Sequence, residues 1–583
     1  MNLHYDQKIA GILIPLFSIR GGLDLGIGDT SALEEAIVWA QENGFHALQL
    51  LPINESGTSN SPYSVVSAMA LEPSTITTHP SWIPELQSAT YDLILASYDL
   101  VLLRSGPVNH PLVRKLKREL LTAAWESFKN HFSTSERAKN YELFQEEQSW
   151  WLPDYTLYRV LLEHHGENDD LPSWESPLRQ ASTARAWLEQ LSSEEQKNFK
   201  ERRDFFSYVQ WIAFEQWKKI RNFADKHDVA LIGDVPTGVN LGSADVFSAP
   251  ELFDLTTFGG APPEKVFRAD PFTMQWGQNW GIPLYRWEKM SRDNFFWWRH
   301  RLRHLCSLFH LLRIDHALGL FRIYSFPWKP ENDAQFIDLS PEAAKKITGG
   351  RLPVFIDCDD ETLEHRAHNQ RRGEMLLHLF LEEVGPDHLI AEDLGETPPY
   401  VPESLAKLQI PGFKIPLWIR DHQGQMLPPQ EYPRVSVATY ATHDHEPFRK
   451  QWETWQAEAQ SEGASSGGWK TITEMLAFIG CEQEDPMTPY SGKIHQQLLK
   501  GLYATNSWLA IVMITDLFGS KQQFNTPGSP SSQNWQERIA LPISEWNKNY
   551  REILSSSYEE LQASGRLLPT SAVPPCQISK LFS

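Results

Sequence analysis

Eight short apolar runs constrain what this chain can fold into. They are Ala10–Phe17, Ala47–Ile53, Val229–Val235, Phe309–Ile314, Leu389–Ala391, Phe413–Trp418, Ser436–Tyr440 and Ala510–Thr515. Continuous apolar runs of this length read as parallel strands buried on both faces, because alternation is lost when neither face meets water. Amphipathic helical stretches lie between them and can cover the strands from outside. The first unit is the clearest. A strand runs to Phe17, a loop holds Gly21-Gly22, and a helix near Ser31–Glu42 starts on an Asp29 or Thr30 cap and stops at Asn43-Gly44. The pattern predicts an α/β fold, a (β/α)8 TIM barrel in which parallel strands and helices alternate.

The strands are unevenly spaced. Roughly 170 residues separate the second from the third, far more than one crossover requires. Helical patterns fill much of this stretch, at Pro111–His131, Ser135–Glu147, Tyr155–His165 and Ser193–His227. We expect one catalytic barrel domain over residues 1–583, with helical insertions at about 80–225, 320–387 and 446–508. Ser461–Gly468 reads as a surface loop, and Glu545–Ser564 as a final packing helix.

Composition removes several function classes. A formal charge of −21 repels nucleic acid and anionic membranes, so neither is an expected partner. The local basic stretch Arg299-His300-Arg301 reads as a solvated helix face. Cys306, Cys358, Cys481 and Cys576 are isolated, which fits a reducing compartment. No run approaches the ~20 apolar residues that span a bilayer. Ile9 to Phe17 lacks the flanks of a signal peptide and reads as a first strand, so a cytoplasmic location is expected. Of the 22 tryptophans, Trp150-Trp151 and Trp297-Trp298 fall in helical patterns and read as packing residues.

Chemistry concentrates where apolar runs end in carboxylates, at Arg313-Ile314-Asp315-His316, Ala391-Glu392-Asp393 and His443-Asp444-His445. Strand ends on one face of a barrel bring such residues together from distant sequence. Arg313 and Asp315 alternate onto the same side of their strand, so the guanidinium favours the ionised carboxylate that a nucleophile requires. Glu392 beside a negative Asp315 would hold its proton, as a general acid must. Asp393 points the other way and reads as a cap or a hydrogen-bond partner. Asp444 can stabilise positive charge on a sugar ring while His443 donates to a hydroxyl. The strand-end Asp234 and Asp516 read as structural or hydrogen-bonding. His443 and His445 are poorly spaced for one metal ion, no HExxH or CxxC pattern occurs, and no phosphate-cradling glycine motif occurs. Neither metal nor cofactor is expected.

Further stretches fall into line with one family. They are Asp24-Leu25-Gly26-Ile27-Gly28-Asp29, Leu50-Leu51-Pro52, Ser61-Pro62-Tyr63-Ser64, Gly277 to Tyr285, Pro411-Gly412-Phe413-Lys414, Asn525-Thr526-Pro527-Gly528 and Asn534-Trp535. Together with the three carboxylate motifs, and in this order over nearly the whole chain, they resemble the amylomaltases, or 4-alpha-glucanotransferases, of glycoside hydrolase family 77. The resemblance implies an α-amylase-type barrel acting on α-1,4-glucans and maltooligosaccharides. It implies Asp315 as nucleophile, Glu392 as acid/base and Asp444 as transition-state stabiliser. Arg313, His316 and His443 would bind the donor sugar, and Tyr63, Gln278, Trp280 and Asn525 would line the donor and acceptor sites. Three departures stand out: Gly242 where an acidic residue is expected, a long loop at 264–276, and His445-Glu446 after Asp444. The stretch from Trp287 to Asp315 also resembles the plant cytosolic branch of the family.

The implied reaction is glucan transfer with retention by double displacement, which needs the two working carboxyl groups about 5–5.5 Å apart. Rival readings are a retaining α-glucan hydrolase, a non-catalytic glycan-binding barrel and a metal-dependent barrel hydrolase.

Overall fold

The structure is a computed structural model that describes residues 3–263, 270–527 and 534–568. Twelve strands lie along the described residues. Eight of them close a parallel barrel: β1 (Ile9–Leu13), β2 (Ala47–Gln49), β3 (Ala230–Val235), β6 (Leu311–Ile314), β9 (Leu389–Ala391), β10 (Gly412–Lys414), β11 (Ser436–Ala438) and β12 (Leu509–Met513). Each of the eight apolar runs supplies one of these strands. The barrel strands are shorter than several of the runs because the downstream part of those runs turns into the loops above the barrel. Small residues let neighbouring strands approach. Gly11 sits opposite Ala47, and a Cβ on it would lie 2.8 Å from the Ala47 methyl.

The other four strands form an antiparallel sheet in the order β5-β4-β7-β8: β4 (Phe253–Ala261), β5 (Gln278–Tyr285), β7 (Ile323–Phe326) and β8 (Val354–Ile356). Periodicity does not announce this sheet. Gly259-Gly260 and the register shifts between β4 and β5 interrupt the alternation that a strand otherwise displays. The segment 320–387, expected to be helical, therefore carries β7 and β8 besides the helices Pro341–Ile347 and Leu363–Val384. Between β2 and β3 the helices include His110–Ser127, Glu136–Glu147, Leu152–His164 and the long Ser193–Lys226. The last begins on a capping box, with Ser192 and Glu195 each satisfying the other's backbone amide. Helices Phe448–Glu462, Gly467–Phe478 and Gly492–Tyr503 lie between β11 and β12. The first barrel helix, Thr30–Glu42, is capped by Asp29, which accepts from the amides of Ser31 and Ala32.

The barrel's seam joins the first strand to the last, with Ile9 opposite Leu509 through Leu13 opposite Met513. A fully buried Arg566 fastens it from below. The guanidinium donates to the carbonyls of Ile9 at 2.8 Å, Tyr503 at 2.8 Å, Thr505 at 2.7 Å and Ser507 at 3.0 Å. Arg301 corrects the expectation of a solvated basic face at 299–301. It is fully buried, packed beside Trp297 and Trp298, and donates to the carbonyl of Pro236 at 3.0 Å. Arg299 instead pairs with Glu382 and Glu383. Trp151, Trp297 and Trp298 are buried as packing residues. Cys306, Cys358 and Cys481 are free thiols, and Cys576 lies outside the described residues. No helix among the described residues is long and apolar enough to cross a membrane.

Asp516, just past β12, is almost wholly buried and accepts from the amide of Phe448 at 2.6 Å. Burial pushes its carboxyl up to about 7, against about 3.9 in an unfolded chain. The folded state therefore holds a proton that the unfolded state has lost. The group's contribution to stability is fully present below the unfolded value and is lost as pH rises through about 7. Asp516→Asn keeps the acceptor and removes the buried charge. Its thermal midpoint is expected to exceed that of the parent at pH 8 and to match it at pH 4. Equal midpoints at both pH values would refute a charge-burial cost at this position.

Candidate active site

A buried arginine organises the C-terminal ends of the barrel strands. Register places Asp234 on β3 directly beside Arg313 on β6. Nη1 of Arg313 lies 2.7 Å from both Asp234 oxygens and 2.9 Å from Oδ1 of Asp315. On its other side, Nη2 lies 4.0 Å from Oε2 of Glu392. One guanidinium thus faces three carboxylates from three strands, and this concentration of charge in a buried site is what shifts proton affinities. Arg313 itself is held well above its ordinary value, since Asp234 and Asp315 outweigh the cost of burying the cation.

Backbone hydrogen bonds fix the two central carboxyls. The Asp315 amide donates to the Val235 carbonyl at 3.1 Å, and the Thr237 hydroxyl donates to the Asp315 carbonyl. Oε1 of Glu392 accepts from the Leu394 amide at 2.6 Å, and Oε2 accepts from the His316 amide at 2.9 Å. Burial raises Glu392 to about 7 despite Arg313, with Asp315 adding to the rise. Burial also raises Asp315 to about 6, where Arg313 opposes and Asp234 adds. Their order follows from exposure: the Asp315 side chain is 24% exposed and that of Glu392 is 10% exposed. The less hydrated Glu392 keeps its proton to the higher pH, while Asp315, touching the guanidinium, ionises first.

Asp444 is the most open of the three. It lies 3.2 Å from Nε2 of the buried His443 and accepts from Nδ2 of Asn525 at 2.6 Å. Burial would raise its carboxyl, but His443 and Asn525 hold it well below the usual carboxylate range. Burial lowers His443 and Asp444 more than offsets this, so the imidazole sits above its ordinary value. Tyr63 stacks on the His443 ring with centroids 5.0 Å apart and donates its hydroxyl to Asp234 at 2.6 Å. His316, in a left-handed conformation at φ +44°, meets the edge of Trp280 at 4.9 Å. Burial and Arg313 push its imidazole down to about 4, so it is neutral at pH 7.

The structure thus gathers Tyr63, Arg313, Asp315, His316, Glu392, His443, Asp444 and Asn525 at one barrel mouth. Trp280 and Gln278 come from β5, outside the barrel, and reach the mouth through Trp280. Its indole Nε1 donates to Gln278 at 3.3 Å. Asp234, expected to be structural or hydrogen-bonding, is a hydrogen-bond hub at the centre. Asp393 accepts from the Phe413 amide at 2.6 Å, and a Cβ at Gly412 would strike its carboxylate at 2.6 Å. Trp535 was not among the expected site residues. It lies 6.0 Å from both Tyr63 and His443 and closes this side of the pocket. Its neighbour Asn534 exchanges hydrogen bonds with the backbone of Thr526, which ties the Asn525 loop together.

The three departures have distinct outcomes. At Gly242 a Cβ would lie 1.7 Å from the Asp169 carbonyl, so packing of the 169–170 loop excludes any side chain there. Within the 264–276 loop, residues 264–269 lie outside the described residues, and Pro271–Trp276 is a helix capped by Asp270. His445 folds back so that its Nδ1 lies 2.8 Å from the Thr442 hydroxyl. Among the described residues no cluster of three His, Cys, Asp or Glu side chains forms a metal-ligand set.

Removing the Asn525 amide should expose Asp444 to rotation and raise its proton affinity. A hydrogen bond to a charged group is worth about 1.5–3 kcal/mol, so Asn525→Ala is expected to lower kcat about 10–100-fold. Unchanged kcat in steady-state assays would show that Asp444 needs no such support.

Comparison with known proteins points the same way. The chain is 29% identical over 561 residues to a 4-alpha-glucanotransferase of Chlamydia caviae, covering 94% of each chain. It is 32% identical over 323 residues to a 4-alpha-glucanotransferase of Oryza sativa subsp. japonica, covering 54% of this chain and 32% of that one. In fold it is similar to an amylomaltase from Streptococcus agalactiae solved in complex with acarbose, at a TM-score of 0.72 and 21% identity over 96% of this chain and 100% of that one. The 4-alpha-glucanotransferase family model, glycoside hydrolase family 77, matches residues 14–543. The chain belongs to this family.

Proposed function

We propose that this protein transfers α-1,4-glucan segments between maltooligosaccharides or longer glucans with retention at the anomeric carbon. The observation that carries the reading is the ordering of Asp315 and Glu392 around one buried guanidinium, 2.9 Å and 4.0 Å away. Asp315 attacks the anomeric carbon as the bond to the leaving 4-oxygen breaks, and Glu392 gives that oxygen its proton. A glycosyl ester on Asp315 results. Glu392, now ionised, takes the proton of an incoming 4-hydroxyl, whose oxygen displaces Asp315 and restores the starting configuration. Asp444, kept ionised by His443 and Asn525, faces the positive charge that develops on the ring.

Arg313, His316 and His443 would hold the donor sugar. Tyr63 and Asn525 line the donor side, and Gln278 with Trp280 line the acceptor side. Glu392 works on the leaving oxygen, and Trp280 approaches beside it through His316. Transfer in place of hydrolysis requires an acceptor that excludes water from the ester. The antiparallel sheet bearing Trp280 supplies the wall that an acceptor sugar would cover. The reaction as drawn routes no step through a metal or cofactor, and the expected setting is the cytoplasm.

Incubation with maltotriose, with products resolved by chain length, tests this reading. The expected result is a ladder of longer maltooligosaccharides together with short products. Short products alone would assign the same residues to a retaining hydrolase.

A further inference from the structure

Away from the carboxylates, an open cavity of about 190 Å³ lies between the start of helix Gly492–Tyr503, helix Phe448–Glu462 and the turn at Phe518-Gly519. None of the steps above uses it. Arg449 reaches its edge. Nε donates to Glu453 at 3.3 Å and Nη1 to the Gly519 carbonyl at 3.0 Å, which leaves Nη2 without a partner among the described residues. Glu453 is shared with Lys521, so it does not cancel the arginine alone.

His495 lines the same cavity and is only 9% exposed. Its Nε2 lies 2.7 Å from the Asp516 carbonyl. A carbonyl only accepts, so Nε2 carries the proton and the neutral ring turns a lone pair outward at Nδ1. That nitrogen has no partner among the described residues. Gly519, at φ +62°, keeps the approach to it open, because a Cβ there would stand 3.2 Å from Nδ1.

The third wall is the positive end of a twelve-residue helix. Ser491 caps it by accepting from the Ile494 amide, and no acidic side chain occupies its first turn. The amide of Gly492, which lines the cavity, is therefore available to a ligand. A group that suits this cavity must accept hydrogen bonds from a cation and a helix-start amide while donating one to an imidazole lone pair. A neutral sugar hydroxyl would bring no charge to the helix end or to a guanidinium that shares its one carboxylate, Glu453, with Lys521, whereas an oxyanion does.

We propose that this cavity binds a phosphate group, as inorganic phosphate or a phosphate monoester, held by Arg449 and the Gly492 amide with His495 accepting its hydrogen bond. None of its lining residues is among those assigned to the glucan site, and the proposal is independent of the transfer reading. Calorimetry and thermal unfolding of the full chain test it, with inorganic phosphate, a hexose monophosphate, glucose and chloride at matched ionic strength. Saturable binding of inorganic phosphate or of the ester, with none for glucose or chloride, is expected. Preference between the two phosphates identifies the source. Arg449→Gln should weaken binding about tenfold or more, the loss of one charge-assisted contact, with activity on maltotriose retained as the check on folding. Should that variant fail to fold, His495→Gln decides by the same measure. Phosphate binding no better than chloride, or undiminished in the folded variants, would overturn the proposal.

Discussion

Replacing Asp315 by alanine is expected to lower kcat about 10⁴-fold or more, because the covalent route loses its nucleophile outright. Stability should change little by comparison. The Asp315 side chain is 24% exposed, and Arg313 retains its two contacts to Asp234. The informative arm is rescue. Azide is small enough to enter the vacated space, and it can attack the anomeric carbon while Glu392 protonates the departing oxygen. The product is then a glycosyl azide of inverted configuration, formed at a rate that rises with azide concentration. Parent-like turnover in Asp315→Ala without added anion would sink the assigned nucleophile. A retained-configuration azide would place the nucleophile elsewhere.

A second large effect lies in pH dependence. Glu392 must carry its proton to act as the acid, so activity falls as pH rises through about 7. Asp315 must be ionised to attack, so activity falls as pH drops through about 6. A bell-shaped profile of kcat/KM with a narrow maximum between these limbs is expected. The two limbs belong to the pair jointly, since each carboxyl feels the other's charge. Glu392→Gln should remove the alkaline limb and lower turnover of maltooligosaccharides about 10²–10⁴-fold. A donor with a phenolic leaving group needs no proton, so its cleavage should survive in this variant. An unaltered alkaline limb in Glu392→Gln would assign the acid to another group.

The barrel is legible in the sequence because parallel strands are hidden on both faces. Burial turns each one into an unbroken apolar run, and each of the eight runs supplies a strand. The antiparallel sheet of β4, β5, β7 and β8 is not legible in the same way. Its faces differ in exposure, and Gly259-Gly260 and Gly281 break the alternation that would reveal it. The carboxylates are visible as strand-end residues, but strand ends alone do not separate Asp234 from Asp516. The difference between them is lateral: Asp234 lies across from Arg313 in the adjacent strand, while the Asp516 carboxylate accepts from the backbone amide of Phe448. Strand order, which sequence spacing does not specify, makes one a hub of the site and the other a buried acid. Trp535 is hidden for a related reason. It meets Tyr63 and His443 from a left-handed backbone conformation of its own, at φ +63°, which no apolar periodicity marks.

The Arg566 fastening has a consequence for how the barrel comes into being. Strands β1 and β12 are separated by some 500 residues of chain, so the joint between them is among the most distant contacts in the molecule. Contacts of that range form late and slowly. During synthesis β1 must wait with one edge unpaired while most of the polypeptide is made, and such an edge invites wrong partners. Arg566 follows the last strand and bonds to the carbonyl of the first residue of β1 as well as to the segment leading into β12. Its arrival is therefore a late event that commits the ring to closure, at the cost of leaving the nascent protein dependent on protection until then.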